Sequence, residues 1–128
     1  MHRDIKPLNV LICDNCRPVI ADFGISKKID PKKEDQSWDS LCTPQYASPE
    51  ICNNKDPSFK SDIWAMGVLL YELLCLNRPF EGKKGEGPGV EMYTLNMAIM
   101  DDDFKPIDDS YSSDMKKLVK QCLTKALR

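Results

Sequence analysis

The apolar triplets Val10-Leu11-Ile12 and Val19-Ile20-Ala21 flank a polar turn, Asp14-Asn15 and Arg17-Pro18, and predict a short β-hairpin that ends at Asp22-Phe23-Gly24. From Ile25 to Tyr46 no period persists. That stretch carries Lys27, Lys28, Lys32, Lys33, Glu34 and Asp35, and predicts an irregular surface loop long enough to have a function of its own. The most apolar run, Ile63 to Leu76, holds a single charged residue, Glu72. It is shorter than the roughly 20 residues that cross a bilayer and predicts a buried helix, apolar nearly all round and covered on several faces. Ser61 or Asp62 is its expected N-cap, and Asn77-Arg78-Pro79 ends it.

Beyond the glycine-rich stretch from Gly82 to Gly89, Met92, Leu95 and Ile99 give a weak helical stripe. Met115, Leu118, Val119, Cys122 and Leu123 give a stronger one, capped by Ser112 or Ser113. Asp114 and Lys125 stand near the helix ends that favour their charges. The acidic runs Asp101-Asp102-Asp103 and Asp108-Asp109 read as solvated loop. The elements together predict an α+β chain, mostly α.

Composition narrows the class. The 128 residues carry 18 basic and 20 acidic side chains, a net charge of -2, with 41% hydrophobic residues and ordinary glycine and proline usage. That fits one globular domain and excludes collagen-like and low-complexity chains. It also argues against a protein that coats nucleic acid or an acidic membrane. Met1 is followed at once by His2-Arg3-Asp4 with no apolar stretch behind it, so no secretory signal is read and the six cysteines are expected in a reducing compartment, cytoplasmic or nuclear. Cys13 and Cys16 form a C-x-x-C pair, which could supply half of a zinc site or a redox pair. With no second pair and a single remote histidine, the cysteines read as solvated or core thiols. The Gly85-Glu86-Gly87-Pro88-Gly89 stretch follows a helix and contains a proline, so it reads as a linker and not as a phosphate cradle.

The chemistry is concentrated in the first 50 residues. His2-Arg3-Asp4-Ile5-Lys6-Pro7-Leu8-Asn9, Asp22-Phe23-Gly24 and Ser48-Pro49-Glu50 occur in that order. They resemble the H-R-D-x-K-P-x-N, D-F-G and A-P-E series of protein kinases. Pro44 to Tyr46 and Asp62-Ile63-Trp64-Ala65-Met66-Gly67 extend the resemblance over nearly the whole chain. Lys6, and Thr43 before Pro44, are similar to the serine/threonine branch. Within it the chain looks most like the NIMA-related kinases, with mitogen-activated protein kinase kinases as the alternative. Cys42 stands where the family has a glycine, and Ser48 where it has an alanine.

The resemblance implies a C-terminal lobe, a short hairpin plus helices, with the first lobe absent. Its parts are a catalytic loop at 2–9, a D-F-G segment at 22–24, an activation segment at 22–50, a central helix at about 62–76 and C-terminal helices at about 91–100 and 113–125. The activity implied is transfer of the ATP γ-phosphate to Ser/Thr hydroxyls of protein substrates, with Mg²⁺ as the metal. Asp4 would orient the substrate hydroxyl and accept its proton. Lys6 would reach the transferring phosphate, and Thr43 would bridge Asp4 and Lys6. Asn9 and Asp22 would offer oxygen to Mg²⁺. Arg3 would bind a phosphate on the activation segment, at Ser37 or Ser40, with Asp39 as a partial mimic of that charge. Glu50 and Asp62 have structural roles, the former paired in the family with an arginine expected just past Arg128.

Two readings follow. In the first, the chain is the C-terminal lobe of a working kinase, and Met1 is an internal methionine. In the second, it is a catalytically inactive docking or decoy module. The lobe that carries the glycine-rich flap and the ATP-binding lysine has no counterpart upstream of Met1, so the isolated chain is expected inactive. The helix from Ile63 is expected to expose an apolar patch where its covering helices would lie.

Overall fold

The computed structural model describes residues 1–28 and 42–125. A 3-10 turn at Pro7–Asn9 leads into the antiparallel hairpin of β1 (Val10–Cys13) and β2 (Arg17–Ile20), paired Val10 with Ile20 and Cys13 with Arg17. The turn between them is tighter than expected: Arg17 and Pro18 belong to β2, and Ala21 lies past it. Pro18 can stand opposite Ile12 because the Ala21 N–H to Asn9 carbonyl bond sets a register in which the Ile12–Pro18 pair is a non-hydrogen-bonded one, so the missing N–H faces the open edge and costs no ladder bond. After the undescribed stretch come a 3-10 turn at Pro44–Tyr46 and four helices: α1 (Pro49–Cys52), α2 (Phe59–Cys75), α3 (Val90–Asp101) and α4 (Ser113–Cys122). No described helix is long and apolar enough to cross a membrane.

Helix α2 starts three residues before the expected cap. Ser58 is the N-cap: its hydroxyl accepts the Lys60 N–H, and the Ser61 hydroxyl accepts the Ser58 N–H in return. This reciprocal arrangement satisfies donors that Ser61 or Asp62 alone would have left to water, and it releases the Asp62 carboxylate for other partners. The helix stops at Leu76, whose backbone turns left-handed at φ 55°.

Two clusters meet on α2. The larger joins Trp64, Val68 and Tyr71 to Leu95 and Ile99 of α3 and Val119 of α4, closed by Phe80, Ile107 and Leu123. Aromatic geometry sets its floor: Trp64 stacks on Phe80 at 5.8 Å, and Phe104 meets Tyr71 edge-on at 5.5 Å. The smaller cluster seats Ile5, from the segment before the hairpin, on Ala65 and Leu69. One helix therefore carries both the fold's core and the anchor of segment 2–9.

One expectation of burial is met and two are corrected. The helix is not covered all round: Ile63 and Leu73 are more than half exposed, and Leu76 is fully outside, so the bare side expected of this helix is present. On α4, Val119 and Leu123 face inward and Cys122 is half-buried, while Met115 and Leu118 are exposed. Met92 of the α3 stripe is exposed as well. A periodic stripe records which residues share a face, not how far along that face a neighbour reaches. Lys125 lies past the end of α4, its ammonium bonded to the Asp102 carbonyl and 5.0 Å above the Phe80 ring.

Gly67 lets α2 come close to the end of α4. A Cβ there would stand 2.7 Å from the Cys122 Cβ and 3.0 Å from Leu123. Gly67→Ala gains about 1 kcal/mol of helix propensity. It also drives two backbone-tethered groups together, an overpacking cost of about 1–3 kcal/mol that these atoms cannot relieve by rotating. The expected net result is a lower urea midpoint with an unchanged m-value.

Candidate active site

Segment 2–9 is held from below by α2. With Ile5 buried on Ala65 and Leu69, the backbone of the preceding residues crosses the start of the helix, where Asp62 receives it. Its Oδ2 accepts the His2 N–H at 2.8 Å and its Oδ1 accepts the Arg3 N–H at 2.9 Å. Arg3 has φ 72°, a left-handed conformation that costs a non-glycine residue energy and persists only where its surroundings hold it. Asp62 is that hold.

His2 ties the segment to the strand end opposite. Its Nδ1 accepts the Asp4 N–H at 3.3 Å, which leaves Nε2–H to donate to the Ala21 carbonyl at 3.0 Å. The ring also meets Phe23 edge-on at 5.0 Å.

Asp4 stands at the centre of a saturated cluster. Its Oδ1 accepts the Thr43 hydroxyl at 2.6 Å, and its Oδ2 pairs with the Lys6 ammonium at 2.7 Å. The Asn9 amide donates to Oδ2 at 3.0 Å and to the Asp4 carbonyl at 2.8 Å. Thr43 completes the bridge by accepting from Lys6 Nζ at 2.9 Å. Burial pushes the Asp4 carboxyl upward, but the hydrogen bonds from Lys6, Thr43 and Asn9 outweigh it, and the group titrates below its ordinary value of 3.8. The cluster's stabilisation is therefore complete above the ordinary carboxylate range and is lost as pH falls through the lowered folded value. Thr43→Ala removes one of the lowering bonds. The Asp4 midpoint, followed by carboxyl carbon NMR, is expected to move up toward 3.8.

Asp22 lies outside that hydrogen-bonded cluster. Its carboxylate is exposed and accepts the Gly24 N–H at 3.1 Å, on a backbone held left-handed at φ 63°. Its link to the cluster is through the main chain: the Ala21 N–H, one residue earlier, donates to the Asn9 carbonyl at 2.8 Å and continues the hairpin pairing. Since both Asn9 amide protons are engaged by Asp4, the Asn9 side-chain oxygen is its remaining electron-pair donor. Asn9 and Asp22 thus offer hard oxygen ligands at the two ends of one hairpin, a donor set that fits Mg²⁺.

The other sequence-derived residues are placed as follows. Arg3 donates from Nε to the Ile25 carbonyl at 2.5 Å, and its Nη1 is buried without a hydrogen-bond partner. Ser37, Asp39 and Ser40 lie outside the described residues. Glu50 accepts the Ser61 hydroxyl at 2.7 Å, which joins α1 to the capping box of α2. The sequence reading missed a second polar chain: the Tyr46 hydroxyl donates to Glu72 Oε2 at 2.6 Å, and Glu72 Oε1 lies 3.8 Å from Arg78 Nε. Burial, then the Glu72 carboxylate, push the Tyr46 phenol up to about 12. Glu72 is the one charge in the apolar run, and that isolation was the available signal.

Compared with models of known families, residues 1–128 match the protein kinase domain. The chain belongs to the protein kinase family. Among curated proteins, this kinase sequence is 40% identical over 120 residues to serine/threonine-protein kinase Nek8 of Danio rerio, a match covering 93% of the chain and 16% of that protein. It is 37% identical over 121 residues to serine/threonine-protein kinase Nek1 of Mus musculus, covering 94% and 9%. It is 38% identical over 126 residues to serine/threonine-protein kinase nekl-2 of Caenorhabditis elegans, covering 96% and 32%. The kinase chain thus spans about a third or less of these relatives' length.

Proposed function

We propose that this chain is the C-terminal lobe of a serine/threonine protein kinase and supplies the hydroxyl-orienting and metal-holding half of phosphoryl transfer from ATP to Ser/Thr residues of proteins. The observation that carries the reading is the convergence of Lys6, Asn9 and Thr43 on the Asp4 carboxylate. Such transfers involve little covalent work by the protein, so placement of groups and neutralisation of oxygen charge dominate. Asp4, held ionised and low in basicity, suits orientation of a substrate hydroxyl with late acceptance of its proton. Lys6, on the edge of the same cluster, would pair with phosphate oxygen, while Thr43 fixes the spacing between the two. Asn9 and Asp22 would hold Mg²⁺, which would supply neutralisation of charge on the phosphate oxygens of ATP.

The alternative, an inactive docking or decoy module, makes no use of that cluster, and no observation favours it. The test is a chimera in which this chain follows the first half of a Nek kinase domain. The chimera is expected to phosphorylate a Ser/Thr peptide with Mg-ATP. A folded, ATP-binding chimera with no transfer would support the inactive alternative. The 128 residues alone are expected to show no saturable rise in Tm with millimolar Mg-ATP, because a C-terminal lobe by itself would form only one side of the nucleotide site.

A further inference from the structure

The C-x-x-C pair is not used by the chemistry above, and its position in the fold gives it a chemistry of its own. Cys13 is the last residue of β1 and Cys16 the last before β2, joined by a tight turn at the tip of the hairpin in which Asn15 (φ 65°) and Cys16 (φ 57°) are left-handed. Both are exposed, whereas Cys42, Cys52, Cys75 and Cys122 are partly buried. A turn of this kind keeps the Cα atoms of its first and fourth residues within about 7 Å, and a disulfide spans about 4.4–6.8 Å between Cα atoms. Among the described residues no group of three or more His, Cys, Asp or Glu side chains could hold a metal ion, so a four-ligand zinc site has no partners here. Two thiols suffice for a disulfide.

We propose that Cys13 and Cys16 are a dithiol modification site, converted by a low-molecular-weight disulfide into an intramolecular disulfide in preference to the other cysteines of the chain. One thiolate attacks a sulfur of the reagent, its S–S bond breaks, and a thiolate leaves with the electron pair, giving a mixed disulfide. The second cysteine's thiolate then attacks the protein sulfur of that mixed disulfide and expels the second reagent thiolate. The two cysteines lose two electrons and two protons, and two reagent thiols are formed. Closure at an exposed tight turn is of the readily reduced kind, which makes the modification reversible in a reducing compartment. It also falls on the hairpin whose open end carries Asn9 and Asp22.

Burial gives the selectivity a magnitude. It pushes the Cys52 thiol up to about 11, and pushes those of Cys42 and Cys122 up as well. For Cys52 the smaller thiolate fraction, partly offset by the greater nucleophilicity of a more basic thiolate, gives reaction about tenfold slower than at an unburied thiol.

The full 128-residue chain is treated with excess glutathione disulfide, quenched in acid, alkylated and digested with trypsin. The peptide between Arg3 and Lys27 stays whole, since Lys6 and Arg17 both precede proline. It is expected to lose two hydrogens and carry no glutathione, with its free thiols disappearing about tenfold faster than that of Cys52. In denaturant the tenfold preference is expected to vanish, and Cys13→Ser is expected to leave a stable glutathione adduct on Cys16. Stable adducts on Cys13 or Cys16 in the unsubstituted chain would overturn the proposal. So would Cys52 reacting as fast as the pair in the folded chain, or Cys16 of the Cys13→Ser variant pairing with another cysteine.

Discussion

Asp4→Asn in the active chimera is expected to lower kcat by about 10²- to 10⁴-fold, the range for a positioned acid–base group. The substitution preserves size but not the sense of the hydrogen bonds. In the native cluster one carboxylate accepts from three different side chains. An amide can still accept from Thr43 through its oxygen, but its NH₂ must then face the Asn9 amide and the Lys6 ammonium, both donors. The variant therefore loses the proton acceptor and loosens the group that positions Lys6. The KM for nucleotide is expected to change little, because the role proposed for Asp4 is at the substrate hydroxyl and not at the adenine. Retention of kcat within threefold, in a variant whose urea midpoint is unchanged, would remove Asp4 from the proposed chemistry.

The second large effect is expected at Asp62, which touches none of the groups proposed to react. Asp62→Ala leaves the His2 and Arg3 N–H groups without their acceptor. Hydrogen bonds to a charged group contribute about 1.5–3 kcal/mol each, so two of them, with the acidic residue lost from the first turn of α2, amount to about 3–7 kcal/mol. Against the 5–15 kcal/mol typical of a whole domain this is a large fraction. The left-handed backbone at Arg3 loses its carboxylate support as well, and keeps only the side-chain ties of Arg3 to the Ile25 carbonyl and of His2 to the Ala21 carbonyl. Asp62→Asn keeps one acceptor oxygen and is expected to recover about half. Urea denaturation gives the magnitude, and amide exchange at Arg3 and Asp4 locates it. A loss below about 1 kcal/mol in Asp62→Ala would mean that Ile5 and the His2 and Arg3 side chains anchor the segment without it.

Much of the architecture was legible along the chain. The hairpin, the long apolar helix and the two later helices follow from local rules, in which a strand alternates, a helix repeats every 3.6 residues, and proline or a left-handed residue ends it. What local rules could not supply was extent. Ser58 became the cap of α2 because Ser61 answered it with a hydrogen bond of its own, and either serine read alone looks equally suitable. Met115 and Leu118 share a stripe with Val119, yet of the three only Val119 is buried in the core.

The same division holds at the candidate site. Asp4, Lys6 and Asn9 lie within six consecutive residues, and the 3-10 turn begun by Pro7 brings them together by local geometry, so the resemblance of one short stretch to the kinase series was enough to single them out. Thr43 reaches Asp4 from 39 positions away, and Asp62 reaches the Arg3 backbone from 59. Glu72 and Tyr46 find each other across 26. A motif names the residue type that such a position requires. Whether the group arrives depends on how α2 packs beneath segment 2–9, because a hydrogen bond a few ångströms long is decided by the relative placement of whole elements, and no pattern within one element contains that placement.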